Sequence, residues 1–203
     1  MKNVDYCVTM HSKYEVMDIV ISHNFFKTRY FAWIDVGLFR GLSLPPQSTD
    51  GSRVLNVFHL IPPADFDIQR VAYDAPYEFV ERSPKEILER GLDWIAGGFF
   101  LGEWSVLSRW LRQYWLYLEV LLALRHTRTD QQILYAMLSA EGRGWFPSRT
   151  PLRGNNGSAG PLESQRAEWV DVQAYKNNRG KQFNDWFYLG YLCKETWEKQ
   201  EFS

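Results

Sequence analysis

The chain has 203 residues, 45% of them hydrophobic and 16% aromatic, with 9 tryptophans and a net charge of -1. That length and apolar content suit one core and one domain over residues 1–203. The even charge balance lacks the basic excess that nucleic-acid binding needs. Two cysteines make neither a disulfide framework nor a zinc site, and no run reaches the apolar length of a membrane span.

Val4 to Thr9 is apolar with β-branched residues and reads as a strand. Ser12-Lys13-Tyr14-Glu15 fits a capping box, and Val16, Ile19 and Val20 follow at helical spacing, so a helix is expected from Ser12 to Asn24. Arg29 to Ile34 is almost wholly apolar, as buried strands tend to be. Gly41 to Arg53 reads as a loop on its Pro45-Pro46 and Asp50-Gly51 pairs, and Val54 to Ile61 and Ile68 to Tyr73 read as strands.

Ser83-Pro84-Lys85-Glu86 is a helix start with a hydroxyl cap and a proline at the first turn, and Gly91 stops that helix. Trp94-Ile95-Ala96 reads as a short strand that ends at Gly97-Gly98. Glu103 to Leu124 is the longest expected helix, with Trp104, Leu107, Leu111, Trp115, Leu118 and Leu122 as its apolar face. Thr129 caps a helix over Asp130 to Ser139. Residues 147–163 form a polar, glycine-containing loop expected to be mobile. Trp169 to Val172 reads as a last strand, and Asn184 to Lys194 carries the aromatic cluster Trp186-Phe187-Tyr188. The alternation of strands and helices predicts an α/β sheet.

Three places carry chemistry. Asp35 follows a buried strand, at the end where open α/β sheets bind ligands, and Gly37 leaves room above it. A divalent cation on a diphosphate needs such an oxygen ligand, although an acid there also serves as a turn cap. Gly97 and Gly98 admit close approach of a ligand to the backbone, or else mark a bend or bulge. Asp130 and Gln131 open a helix, where an acid suits the dipole and where Asp130 has the chemistry of a general base. The arginines Arg125, Arg128, Arg143, Arg149 and Arg153 form a diffuse cationic set able to meet a diphosphate locally. His59 reads as a structural histidine, a metal ligand or a phosphate contact. Trp94, Trp104 and Trp186 are candidates for sugar stacking.

Ser12-Lys13, then Asn24-Phe25-Phe26, then Tyr30-Phe31-Ala32-Trp33-Ile34-Asp35-Val36-Gly37-Leu38-Phe39-Arg40 resemble the bacterial HtrL (YibB) family of glycosyltransferase-like proteins. Ile95-Ala96-Gly97-Gly98-Phe99-Phe100, Asp130-Gln131 and Asp185-Trp186-Phe187-Tyr188-Leu189 extend the resemblance over about residues 6–190. It implies a GT-A-like nucleotide-diphospho-sugar transferase fold, a mixed sheet flanked by helices. It also implies a nucleotide-sugar donor and a carbohydrate or other hydroxyl acceptor. By position, Asp35 stands at the metal-diphosphate acid, with Mn²⁺ or Mg²⁺ as the implied ion. Arg40 neutralises the diphosphate, Gly37, Gly97, Gly98 and Gln131 line the donor site, and Asp130 faces acceptor or donor sugar. Asp35-Val36-Gly37 carries one carboxylate where the common metal motif has two. Such domains have base-binding strands ahead of the first helix, so the chain is expected to be N-terminally truncated. The opening residues do not form a signal peptide, which makes the cytosol the default compartment and the secretory lumen the alternative for a longer form.

Overall fold

The computed structural model of the chain describes residues 4–37, 60–126, 128–145, 169–180 and 184–193. The elements run α1 (Val4–His23), β1 (Tyr30–Ile34), β2 (Val71–Asp74), α2 (Pro84–Arg90), β3 (Ala96–Glu103), α3 (Trp104–Ala123), α4 (Asp130–Leu138), α5 (Ala140–Trp145) and β4 (Val172–Tyr175). A last helical segment covers 188–193. The expected loops over 41–53 and 147–163, most of the expected strand over 54–61, and Arg40, His59, Arg149 and Arg153 lie outside the described residues.

The described strands form one mixed sheet in the order β1-β3-β2-β4. β3 is antiparallel to both β1 and β2, while β2 and β4 are parallel. Three strands therefore run one way and β3 runs back between two of them. Helices cover one face, where Tyr73 and Phe100 meet Tyr14, Leu107, Trp110, Tyr114 and Ile133. The other face buries Ala72, Phe99 and Leu101 under Tyr188, Leu189 and Cys193.

Several sequence expectations hold in detail. Ser83 Oγ accepts from Glu86 N–H at 3.2 Å, and Gly91 closes α2 in the left-handed region at φ 65°. Glu103 caps α3 by accepting from Ser105 N–H at 2.8 Å. Its side chain is thus a helix cap, and these bonds hold its carboxyl below the usual range although burial alone pushes it up.

Other expectations are corrected. Val4–Thr9 is the start of a single helix rather than a strand, and Ser12 lies inside it, donating to Thr9 O at 2.8 Å. Six residues are too few for periodicity to separate strand from helix. The buried positions Lys13, Tyr14, Met17 and Ile21 show the helical spacing that wins. Gly97 and Gly98 do not end a strand: β3 begins at Ala96 and continues through them to Glu103. The last strand starts at Val172, three residues later than expected, and β2 likewise starts at Val71. In α3 the buried face is Val106, Leu107, Trp110, Leu111, Tyr114, Tyr117, Leu118 and Leu121, which leaves Trp104 49% exposed.

That rotation can be checked. Trp110 is fully buried and its indole donates to Tyr73 Oη at 3.0 Å. Trp110→Ala is expected to cost about 3–5 kcal/mol in urea unfolding followed by circular dichroism. Trp104→Ala is expected to cost no more than about 1 kcal/mol. Equal costs would mean that the face is placed wrongly.

Candidate functional site

Because β1, β2 and β4 share a direction, their C-terminal ends lie together, and β3 enters the sheet at that same end. Asp35 follows β1, Asp74 ends β2, and Gly97-Gly98 opens β3. The pairing is irregular here. Tyr73 pairs with Phe100, but Asp74 pairs with Ala96, so residues 97–99 bulge away from β2. In the bulge, Asp35 N–H donates to Gly98 O at 2.8 Å and ties β1 to the second glycine.

The first glycine is tied from beneath. Lys13 on α1 donates to Gly97 O at 2.8 Å, and its Nζ stands 2.6 Å from Asp130 Oδ2 at the start of α4. Both side chains are buried, at 4% and 1% exposure. A Cβ on Gly97 would run into the Asp130 carboxylate and stand 2.7 Å from Lys13 Nζ. The glycine is needed so that this ion pair can lie against the strand. Tyr14 Oη donates to the same Asp130 oxygen at 3.3 Å. Its ring stacks on Tyr114, with centroids 3.9 Å apart.

His11 extends the network. Its Nε2 lies 2.9 Å from Arg128 O, and a carbonyl can only accept, so Nε2 carries the proton. Nδ1 then accepts from Tyr114 Oη at 2.5 Å. Burial holds the His11 pKa below its ordinary value, which agrees with this neutral tautomer. Burial likewise pushes the phenols of Tyr14 and Tyr114 well up, with the Asp130 charge adding to it. They remain neutral donors.

Asp35 is half-buried, and its Oδ1 accepts from the Trp33 indole at 2.6 Å. Trp33 packs on the helix-side core, so the Asp35 carboxylate lies on that face. Gly37 and Gly98 share one neighbour: a Cβ on either would stand 2.7–2.8 Å from the Phe187 ring. Gln131 is half-buried on α4. Its neighbour Gln132 does the local work, accepting from Thr129 N–H at 3.2 Å and donating to Asp93. Trp94 packs edge-on against Phe79 at 4.6 Å, and Trp186 lies edge-on to Tyr77 at 6.0 Å. Arg128 donates to the carbonyls of Leu88 and Glu89 at the end of α2, and Arg143 pairs with Asp171 at 2.9 Å.

Among the described residues no three His, Cys, Asp or Glu side chains gather in a metal-holding group. At Asp35 the protein offers one carboxylate with one oxygen engaged by an indole. That fits a hard cation whose other ligands are phosphate oxygens and water, a common way of holding Mg²⁺.

Sequence reasoning missed what two residues do. Lys13 entered only within the helix-start motif and the family resemblance, with no role given to it, and its burial against Gly97 and Asp130 was not expected. Asp74 ends a strand that resembled any apolar run. It is fully buried; Leu189 N–H donates to Oδ1, and Oδ2 has no hydrogen-bond partner among the described residues. Burial pushes its carboxyl well up, the Leu189 amide opposes this, and nearby Asp185 adds to it.

Two expected outcomes test this network. Lys13→Met leaves Asp130 buried without its cation and should cost about 3–5 kcal/mol in urea unfolding. Lys13→Met with Asp130→Leu should recover much of that loss. A double variant as unstable as the sum of the single variants would contradict the pairing. For Asp74 the folded pKa lies above the unfolded one, so the native state holds the extra proton. Its contribution is present below the unfolded pKa and is lost as pH rises toward the folded one, by about 1.4 kcal/mol per pH unit. Asp74→Asn removes this dependence, so the melting temperature of the variant relative to the native protein should be higher at pH 8 than at pH 5. A constant difference would contradict a neutral buried acid.

No protein-family model, curated protein or solved structure matches the chain. What it does must be read from the chemistry of these residues.

Proposed function

We propose that the domain is a GT-A-type glycosyltransferase that moves a sugar from a nucleotide diphosphate to a hydroxyl acceptor. The observation that supports this reading is the meeting of Asp35, Gly97-Gly98 and Asp130, far apart in the chain, at one end of the sheet. Open α/β sheets bind ligands at the ends of their parallel strands.

In this reading Asp35 is the residue that meets the ligand. It would hold a divalent cation, which supplies charge stabilisation for the departing diphosphate. Asp130 works from behind. Being 1% exposed and paired with Lys13, it positions Gly97 rather than touching the acceptor. Lys13 keeps the glycine carbonyl turned inward.

A second reading, a non-catalytic carbohydrate- or nucleotide-binding domain, is favoured by that same burial. The acid offered by the sequence as general base is locked in an ion pair. A thermal-shift series with UDP, GDP, CMP and their sugar conjugates, with and without Mn²⁺, tests both readings. A ligand at a hundred times its Kd stabilises by about 2.7 kcal/mol, or roughly 5–10 °C for a domain of this size. The expected result is such a shift with one nucleotide, lost in Asp35→Ala. Release of nucleotide from the sugar conjugate then marks the enzyme, and binding without release marks the second reading. A cooperatively melting protein that shifts with none of them refutes both.

A further inference from the structure

The end of the sheet opposite Asp35 carries a turn that takes no part in either core cluster. α1 stops at His23 and β1 begins at Tyr30. Between them Phe25 and Phe26 are 79% and 88% exposed, the most exposed large apolar side chains among the described residues. Two neighbouring phenyl groups both stay in water only at the tip of a projecting turn. The turn is built rather than slack. Asn24 Oδ1 accepts from Thr28 N–H at 2.9 Å, Asn24 Nδ2 donates to Thr28 O at 3.0 Å, and Lys27 N–H donates to Asn24 O at 2.9 Å. Asn24 and Lys27 take the left-handed conformation, at φ 36° and 51°, which residues other than glycine adopt seldom. The His23 ring stacks on Phe25 with centroids 5.3 Å apart.

Trp104 stands at the same end. Its N–H donates to Arg29 O at 3.0 Å, and its side chain is 49% exposed. Lys27 and Arg29 are exposed on the turn itself. The acids of this end are engaged elsewhere. The Glu103 carboxylate is turned into α3, where it accepts from the Ser105 and Val106 amides. Asp67 is paired with Arg70 at 3.1 Å. Glu15 and Asp18 lie more than a turn back along α1.

We propose that the turn over 24–29, with Trp104 beside it, is a docking tip for an anionic lipid bilayer. Phe25 and Phe26 enter the acyl boundary, Trp104 sits at headgroup level, and Lys27 and Arg29 meet the acidic headgroups. A second copy of the chain suits the tip less well. A convex turn set against itself covers little, and a two-fold contact brings the same cations of both copies together. Two phenyl groups and two cations make a weak anchor, so docking is reversible and depends on lipid charge. The Asp35 end then points away from the bilayer, into water. The proposal is independent of the function read from that end.

The test is co-sedimentation with sucrose-loaded vesicles of phosphatidylcholine, alone or with about 30% phosphatidylserine, in about 0.1 M and 0.5 M NaCl. The native protein is expected to partition onto the phosphatidylserine vesicles at least fivefold more strongly than onto phosphatidylcholine alone, and to lose most of that preference in the higher salt. Phe25→Ser with Phe26→Ser should weaken partitioning roughly tenfold or more. Lys27→Gln with Arg29→Gln should remove the preference for phosphatidylserine. Far-UV circular dichroism melts check that the variants fold, and Trp104→Ala, which weakens partitioning in the same direction, serves where the double serine variant does not. Sedimentation velocity without vesicles reads self-association. No co-sedimentation with either vesicle overturns the proposal, as does binding indifferent to phosphatidylserine and salt, or binding that the tip variants leave unchanged. A dimer that the double serine variant loses, in place of vesicle binding, overturns it in favour of a second copy.

Discussion

The ion pair of Lys13 and Asp130 is the contact on which the helix side of the molecule depends. Two charges taken from water are stable only when paired closely and hydrogen-bonded further. Both conditions are met: Nζ is 2.6 Å from Oδ2, Gly97 O takes a second ammonium proton, and Tyr14 donates to the carboxylate. The contact joins α1, β3 and α4, and Lys13 stands 84 residues along the chain from Gly97 and further still from Asp130. Apolar packing alone would tolerate sliding of α1 over the sheet. A buried pair with one acceptable geometry does not.

The consecutive glycines follow from that constraint and from a second one. Gly97 gives way to the ion pair, and Gly98 gives way to Phe187. A side chain at either position would force one of these apart. The bulge sits here because the strand leaves its register with β2 over these same residues while Asp35 still holds Gly98 O. The backbone at this point is thus set by three separate contacts, which is how a short stretch without side chains keeps a defined shape.

Legibility in the sequence followed the range of the interaction. Ser83 and Gly91 bracket α2 because caps act within one turn, and Glu103 starts α3 for the same reason. Arg29 to Ile34 showed itself as a buried strand, and Asp35, Gly97 and Asp130 stood out as residues of interest. Val4–Thr9 misled, because a β-branched run outweighed a helix whose buried positions lie further on, at Lys13, Tyr14, Met17 and Ile21. The burial of Lys13 and of Asp74 was not legible at all. Each depends on a partner more than eighty residues away, Gly97 O for one and Leu189 N–H for the other.

Three aspartates at one end of the sheet show how environment divides a single side-chain type into roles. Asp130 is enclosed with a cation and holds structure. Asp74 is enclosed without one, so burial drives it toward the neutral acid, a state that suits an acceptor for the Leu189 amide and not a metal ligand. Asp35 is half-buried, steadied on one oxygen by an indole, and sits where β1 gives out. A group that meets a charged ligand must be fixed in direction yet reachable, and of the three only Asp35 meets both conditions. The sheet supports this division by facing Asp74 toward the helical segment over 188–193 and Asp35 toward the other helices, with the bulge of β3 between them.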